Sequence, residues 1–210
     1  FMHALLYVQV LEDAEKGRAL LADLQKNFPG TKAAASVPRV LEQIERAAKA
    51  EQTLASLIGK PAPEINFTWS DKGDLTTLSA LKGNVVVLDF WATWCGPCIR
   101  SFPHVRELTA RYKDSPVVII GVTSLQGRVH GLEAKPIDVK DDPAREMALM
   151  HDFMKAKDMT WRVAFSEQDV FNPDYAVQGI PYVAIVAPDG TVRHAGLNPH
   201  DPSADIEGKI

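Results

Sequence analysis

The sequence predicts an α/β fold with an N-terminal helical segment ahead of it. Three observations carry this reading. Val85-Val86-Val87-Leu88-Asp89-Phe90 is a nearly continuous apolar run rich in valine, the pattern of a strand buried on both faces, and it hands over to a helix that opens at Pro97. Further strand patterns at 117–122 and 161–165 alternate with helical stretches, which calls for parallel strands joined by crossover helices. Residues 12–58, in contrast, carry helical periodicity alone.

The chain has 210 residues, enough for two small domains or one domain with an appendage, and its 46% hydrophobic content is ordinary for a soluble protein. The boundary is placed between residues 58 and 59, where Pro61 and Pro63 punctuate the chain. A formal charge of −4 gives no reason to expect nucleic acid or an anionic membrane as partner. No apolar run approaches a membrane span. Residues 1–11 are mildly apolar but contain His3, Tyr7 and Gln9, with no basic leader, and a start at Phe1 suits a fragment or a mature form.

In the helical segment, Leu20, Leu21, Leu24 and Phe28 form one apolar stripe, and Val40, Leu41, Ile44, Ala47 and Ala48 another. Asn27-Phe28-Pro29-Gly30-Thr31 separates them, so the expectation is a helical hairpin with a further short helix through Leu54, Leu57 and Ile58. Its simplest role is packing against the second domain or another copy of the chain, which makes a homo-oligomer through these helices one expected association.

Ile65, Phe67 and Trp69 alternate as in a strand, and Asp71-Lys72-Gly73-Asp74 makes a turn. After the strand at 85–90, Ile99, Phe102, Val105, Leu108 and Tyr112 give the next helix an inward stripe, followed by the strand at 117–122. Ser124 to Asp142 is a long polar loop, the kind that selects substrates or is a plain surface insertion. Asp142 caps a helix opening at Pro143, with Met147, Met150, Phe153 and Met154 on one side. That spacing reads as core rather than as a soft-metal site with His151, and no metal is expected. Trp161, Val163 and Phe165 form a third parallel strand. Residues 182–187 and 191–195 then form a hairpin around Pro188-Asp189-Gly190, and Asp201-Pro202 opens a final helix that the chain cuts short. The six histidines are scattered, without motif-defined partners, and read as surface residues.

The chemistry is concentrated in Trp94-Cys95-Gly96-Pro97-Cys98, which holds both cysteines of the chain. A sulfur at a helix N-terminus faces unpaired backbone N–H groups and the positive end of the helix dipole, so Cys95 ionises readily. Cys98, most of a turn further in, is the less accessible thiol and is near enough to close a short disulfide ring. This makes Cys95 the nucleophile and Cys98 the resolving thiol. Half of a zinc site is disfavoured because no second ligand pair accompanies it, and a structural disulfide gains little by closing so short a loop.

The stretch from Leu88 to Pro103 resembles a thioredoxin active site, with Trp91 and Trp94 at the family's two tryptophan positions and Pro103 at its helix-kinking proline. Gly59-Lys60-Pro61-Ala62-Pro63-Glu64-Ile65 and Val177-Gln178-Gly179-Ile180-Pro181 are similar to the TlpA/ResA branch, exported bacterial thiol-disulfide oxidoreductases. The resemblance covers about residues 59–210 and implies a thioredoxin-like fold, a central mixed sheet flanked by helices. It implies a cis Ile180–Pro181 bond facing the cysteines across a shallow groove lined also by Trp94, Gly96 and Pro97, where an extended substrate pairs with the backbone. It further implies that Asp89 is a buried carboxyl, raised in pKa by desolvation, that accepts the proton of Cys98.

The expected function is therefore reduction of protein disulfides by dithiol-disulfide exchange, with no cofactor. The partners are a disulfide-containing protein substrate and an upstream thiol reductant. Gly96-Pro97 is the dipeptide of reducing thioredoxins, whose potential lies near about −270 mV. Two alternatives are weighed. A thiol peroxidase is disfavoured because Thr93 precedes Cys95 by two positions rather than three. A redox-linked binding protein would use the helical N-terminus to dock its partner. Having both cysteines in one pair suits an oxidising compartment, and the resemblance to the TlpA/ResA branch implies the bacterial periplasm, with the cytoplasm as the alternative.

Overall fold

A computed structural model describes every residue except Val10 and Glu12. The chain divides into two compact units, Phe1–Gln52 and Thr53–Ile210. No helix among the described residues is long and apolar enough to cross a membrane.

The first unit is helical throughout: α1 (Met2–Gln9), α2 (Ala14–Asn27) and most of α3 (Lys32–Leu57). Asp13 caps α2 by accepting from Lys16 N. Ala4, Leu21, Val37, Val40 and Ile44 form its core. α1 and α2 approach closely at Gly17, where an added Cβ would come within 2.3 Å of Val8 Cγ2. Two expectations are corrected. Leu54 and Leu57 do not start a separate short helix, because nothing between Val40 and Leu57 breaks α3. Phe28 leaves the buried stripe and is 58% exposed, since it caps α2 outside its last turn. Pro38 sits inside α3 with its ring exposed, where it removes one i→i−4 hydrogen bond from the helix.

The second unit is built on a six-stranded sheet in the order β1-β6-β3-β2-β7-β8: β1 (Phe67–Ser70), β2 (Val85–Phe90), β3 (Val117–Thr123), β6 (Arg162–Ser166), β7 (Tyr182–Val186) and β8 (Val192–Leu197). β2, β3 and β6 run parallel, while β1, β7 and β8 pair antiparallel, which makes the sheet mixed as expected. Because side chains alternate across a strand, β2 sends Val87 to one core, with α4 (Gly96–Arg111) and α5 (Pro143–Ala156), and Val86, Leu88 and Phe90 to the other. Both faces are covered, which is why the run at 85–90 reads apolar throughout. Asp142 caps α5 by accepting from Arg145 N, and Met150 and Phe153 are core residues.

Three further expectations are refined. β6 starts one residue after Trp161 and buries Val163, Ala164 and Phe165 in succession rather than alternating. The 124–142 segment is not plain loop, since β4 (Arg128–Val129) and β5 (Ile137–Asp138) pair with each other and bury Val129 and Val139. Asp201 caps a single 3-10 turn, Pro202–Ala204, and a second cap at Asp205 opens the four-residue α6 (Ile206–Lys209), so one continuous helix does not form.

Candidate active site

The disulfide sits where β2 hands over to α4. Trp91 N donates to Val122 O at 3.0 Å, extending the β2–β3 pairing by one residue before the chain turns up into the helix. Cys95 is the N-cap of α4, and its Sγ accepts from Cys98 N at 3.2 Å, the place a serine or aspartate oxygen takes in ordinary helices. Pro97 lies in the first turn, where a missing N–H leaves no bond unmade. Cys95 and Cys98 are joined in a disulfide with their Cα atoms 5.3 Å apart. The expected difference in accessibility is absent in this oxidised state: Cys95 is 2% and Cys98 1% exposed. The backbone opposite explains the burial of Cys95, whose Sγ lies 3.7 Å from Ile180 O.

The Ile180–Pro181 bond is cis, and both residues are half-buried. Trp94, Gly96 and Pro97, next to the two cysteines in the chain, are exposed, and Ile180 meets Cys95 through its carbonyl. Trp94 Nε1 donates to Gln126 Oε1 at 2.8 Å, and its ring stacks on Phe171.

Behind the cysteines, Asp89 is 3% exposed. It stands two residues from Val87 on β2 and two from Trp91 just beyond the strand, and so projects to the face that also holds Cys95 and Cys98. Desolvation pushes its pKa up to about 7. Its Oδ1 and the indole nitrogens of Trp91 and Trp161 are buried without a hydrogen-bond partner among the described residues. Asp89 pairs across the sheet with Gly121, over which the two indoles close: an added Cβ there would lie 2.7 Å from Trp91 Nε1 and 3.0 Å from Trp161 Nε1. Phe102 packs edge-on against both tryptophans and Phe153 stacks on Trp91, which locks this aromatic group beneath α4.

Several contributors went unnoticed in the sequence. Glu146, 3% exposed on α5, accepts from Gln126 N at 2.7 Å and Gly127 N at 2.9 Å. Burial raises its pKa, while those two amides pull it back. It fastens the 124–142 segment beside Trp94, and His130 N donates to Thr93 Oγ1 from the same segment. Two of the surface histidines have partners: His200 Nε2 lies 2.8 Å from Pro97 O, and since a carbonyl only accepts, that nitrogen carries the proton. His151 packs edge-on against Trp69. Among the described residues, no group of three or more His, Cys, Asp or Glu is gathered to hold a metal ion.

Residues 57–210 match the profile of the Redoxin family. The chain belongs to the Redoxin family. This redoxin is 32% identical over 136 residues to the thiol-disulfide oxidoreductase ResA of a Bacillus cereus strain, a match covering 64% of this chain and 66% of that one. To ResA of Bacillus subtilis it is 28% identical over 135 residues, 64% of either chain. The chain thus spans just under two thirds of the length of these curated relatives. It is a redoxin of the TlpA/ResA type. Among solved structures, the thioredoxin domain of a thiol-disulfide oxidoreductase from Bacteroides vulgatus superposes with a TM-score of 0.53 at 22% identity, covering 72% of this chain and 96% of that one. A thiol:disulfide interchange protein from Bacteroides sp. gives 0.53 at 21% identity, with 72% and 88% covered. The fold is thioredoxin-like.

Proposed function

We propose that this chain is a thiol-disulfide oxidoreductase that reduces protein disulfides through Cys95 and Cys98. The observation that carries this is the position of Cys95 as the N-cap of α4, with its sulfur accepting the Cys98 amide, bonded to Cys98 and set against Ile180 O. An N–H aimed at the sulfur and the positive end of the helix favour the thiolate, the form that attacks disulfides.

In the reduced chain, Cys95 thiolate attacks one sulfur of the partner's disulfide, and the other partner sulfur leaves as a thiolate. Cys98 then gives its proton to Asp89 and attacks Cys95 Sγ, expelling the partner's remaining sulfur. The partner leaves as a dithiol, and the enzyme is left as the disulfide seen here. An external dithiol returns two electrons and two protons for the next cycle. Asp89 suits the role of base because a carboxyl whose pKa is about 7 both takes and gives a proton at neutral pH. Trp94, Gly96, Pro97, Ile180 and Pro181 line the groove for the partner's extended segment.

Residues 59–210 are the redox domain in this reading, and residues 1–58 an accessory segment. Met2, Leu6, Leu11 and Phe28 are exposed large apolar side chains of that segment and favour a second role for it, docking a partner or a second copy. The confinement of both cysteines to the redox pair supports work in an oxidising compartment such as the bacterial periplasm.

The test is the equilibrium reduction potential of the Cys95–Cys98 pair in glutathione or dithiothreitol buffers, together with trapping of partners on a Cys98→Ser variant. A potential near about −270 mV, with mixed disulfides on Cys95, is expected of a reductase. A value near about −120 mV, that of strong oxidants, would reverse the direction proposed.

A further inference from the structure

Among the described residues of Thr53–Ile210, four large apolar side chains stand exposed: Ile58, Trp94, Leu125 and Phe171. Three of them belong to the rim beside the disulfide. Trp94 directly precedes Cys95 and stacks on Phe171 with ring centroids 6.2 Å apart. Its indole donates to Gln126 Oε1, and Leu125 is the residue before Gln126.

Buried polar groups hold this rim in place. Glu146 accepts the amides of Gln126 and Gly127, and Gln126 Nε2 donates to Ser124 Oγ at 2.9 Å. The same Ser124 oxygen accepts from Val170 N at 2.9 Å, one residue before Phe171. Leu125 therefore lies between two anchored neighbours, and Phe171 directly follows a third anchored position. The nearby polar side chains Ser124, Gln126 and Asp169 are engaged with one another or with backbone amides. Beside these engaged groups, Trp94, Leu125 and Phe171 present apolar surface at 40–42% exposure, with the Asp169 carboxylate at its edge.

We propose that Leu125 and Phe171, together with Trp94, form a subsite for a bulky apolar side chain next to the reactive cysteine of an extended polypeptide substrate. The two are then specificity-determining residues. This rests on the reading of the chain as a disulfide reductase, and covalent geometry sets the occupant. A partner sulfur bonded to Cys95 puts the residues flanking its own cysteine over Ile180 on one side and over Trp94 on the other. Substrates with leucine or phenylalanine on the Trp94 side bury that side chain on the rim, and substrates with serine there do not.

The experiment uses the pre-reduced full chain and two disulfide-linked peptides that differ only in the residue beside the cysteine, leucine in one and serine in the other. Second-order rate constants for reduction are measured for the parent and for Leu125→Ser and Phe171→Ser. The parent is expected to favour the leucine peptide by about tenfold, and each variant to cut that preference by about threefold or more. The ratio is taken within one sample, so any unfolded fraction of a variant cancels. Equal rates for both peptides in the parent, or a preference unchanged in both variants, overturns the subsite while leaving the reductase reading intact. A parent that reduces neither peptide overturns both.

Discussion

Asp89 shows what one ionisable group does when a sheet closes over it. Burial moves its pKa from 3.8 to about 7, so between those values the native state holds a proton that the unfolded chain has lost. The unfolded state then binds fewer protons, so stability falls as pH rises across that window, by on the order of 4 kcal/mol, and levels off above it. Asp89→Asn, neutral throughout, is expected to flatten this loss, as denaturant melts at pH 5 and pH 8 will show. The same variant should slow release of the partner from the mixed disulfide by about a hundredfold at pH 7, read in single-turnover experiments. Asp89 could be picked out in the sequence because a lone charge interrupts an apolar strand. Glu146 could not, because it lies in the first turn of an amphipathic helix, where acidic residues are usual. Its burial comes from amides some twenty positions earlier in the chain. His200 was invisible for the same reason, since only the fold brings it to Pro97.

At the level of elements, the strand-to-helix handover was legible because its parts are local: valines for the strand, Pro97 for the first turn, a cysteine at the cap. The close packing over β3 was not. Gly121 reads as a mid-strand glycine, a weak point in a strand, yet it is the position over which two tryptophans meet. Gly121→Ala puts a methyl at 2.7 Å from one indole nitrogen and 3.0 Å from the other, and both rings are held by Phe102. Overpacking of this kind costs about 1–3 kcal/mol. The expected result is a lower midpoint of chemical denaturation with an unchanged slope, and a shift in near-UV circular dichroism from the displaced indoles. The continuity of α3 and the brevity of α6 were missed because helix ends depend on single caps and breakers, which a periodic pattern does not reveal.

For the whole molecule, the buried apolar groups sort cleanly along the chain. The two cores of the redox unit begin at Leu57, and the core of the first unit ends at Ile44. A chain shortened to begin at Thr53 is therefore expected to keep its cooperative unfolding and a reduction potential within about 30 mV of the full chain, a difference worth about 1.4 kcal/mol. A larger change would mean that the helical segment tunes the redox pair.

β4 and β5 pair with each other and not with the six-stranded sheet. Their segment is fastened near the cysteines by side chains, Glu146 and Thr93 foremost, rather than by the register of the central strands. A change of sequence within it can reshape the rim without shifting β2 or the cap of α4. For the reductase proposed above, substrate preference is thus separable from the cysteine pair. The same separation makes this segment the natural place to graft a new preference onto the scaffold.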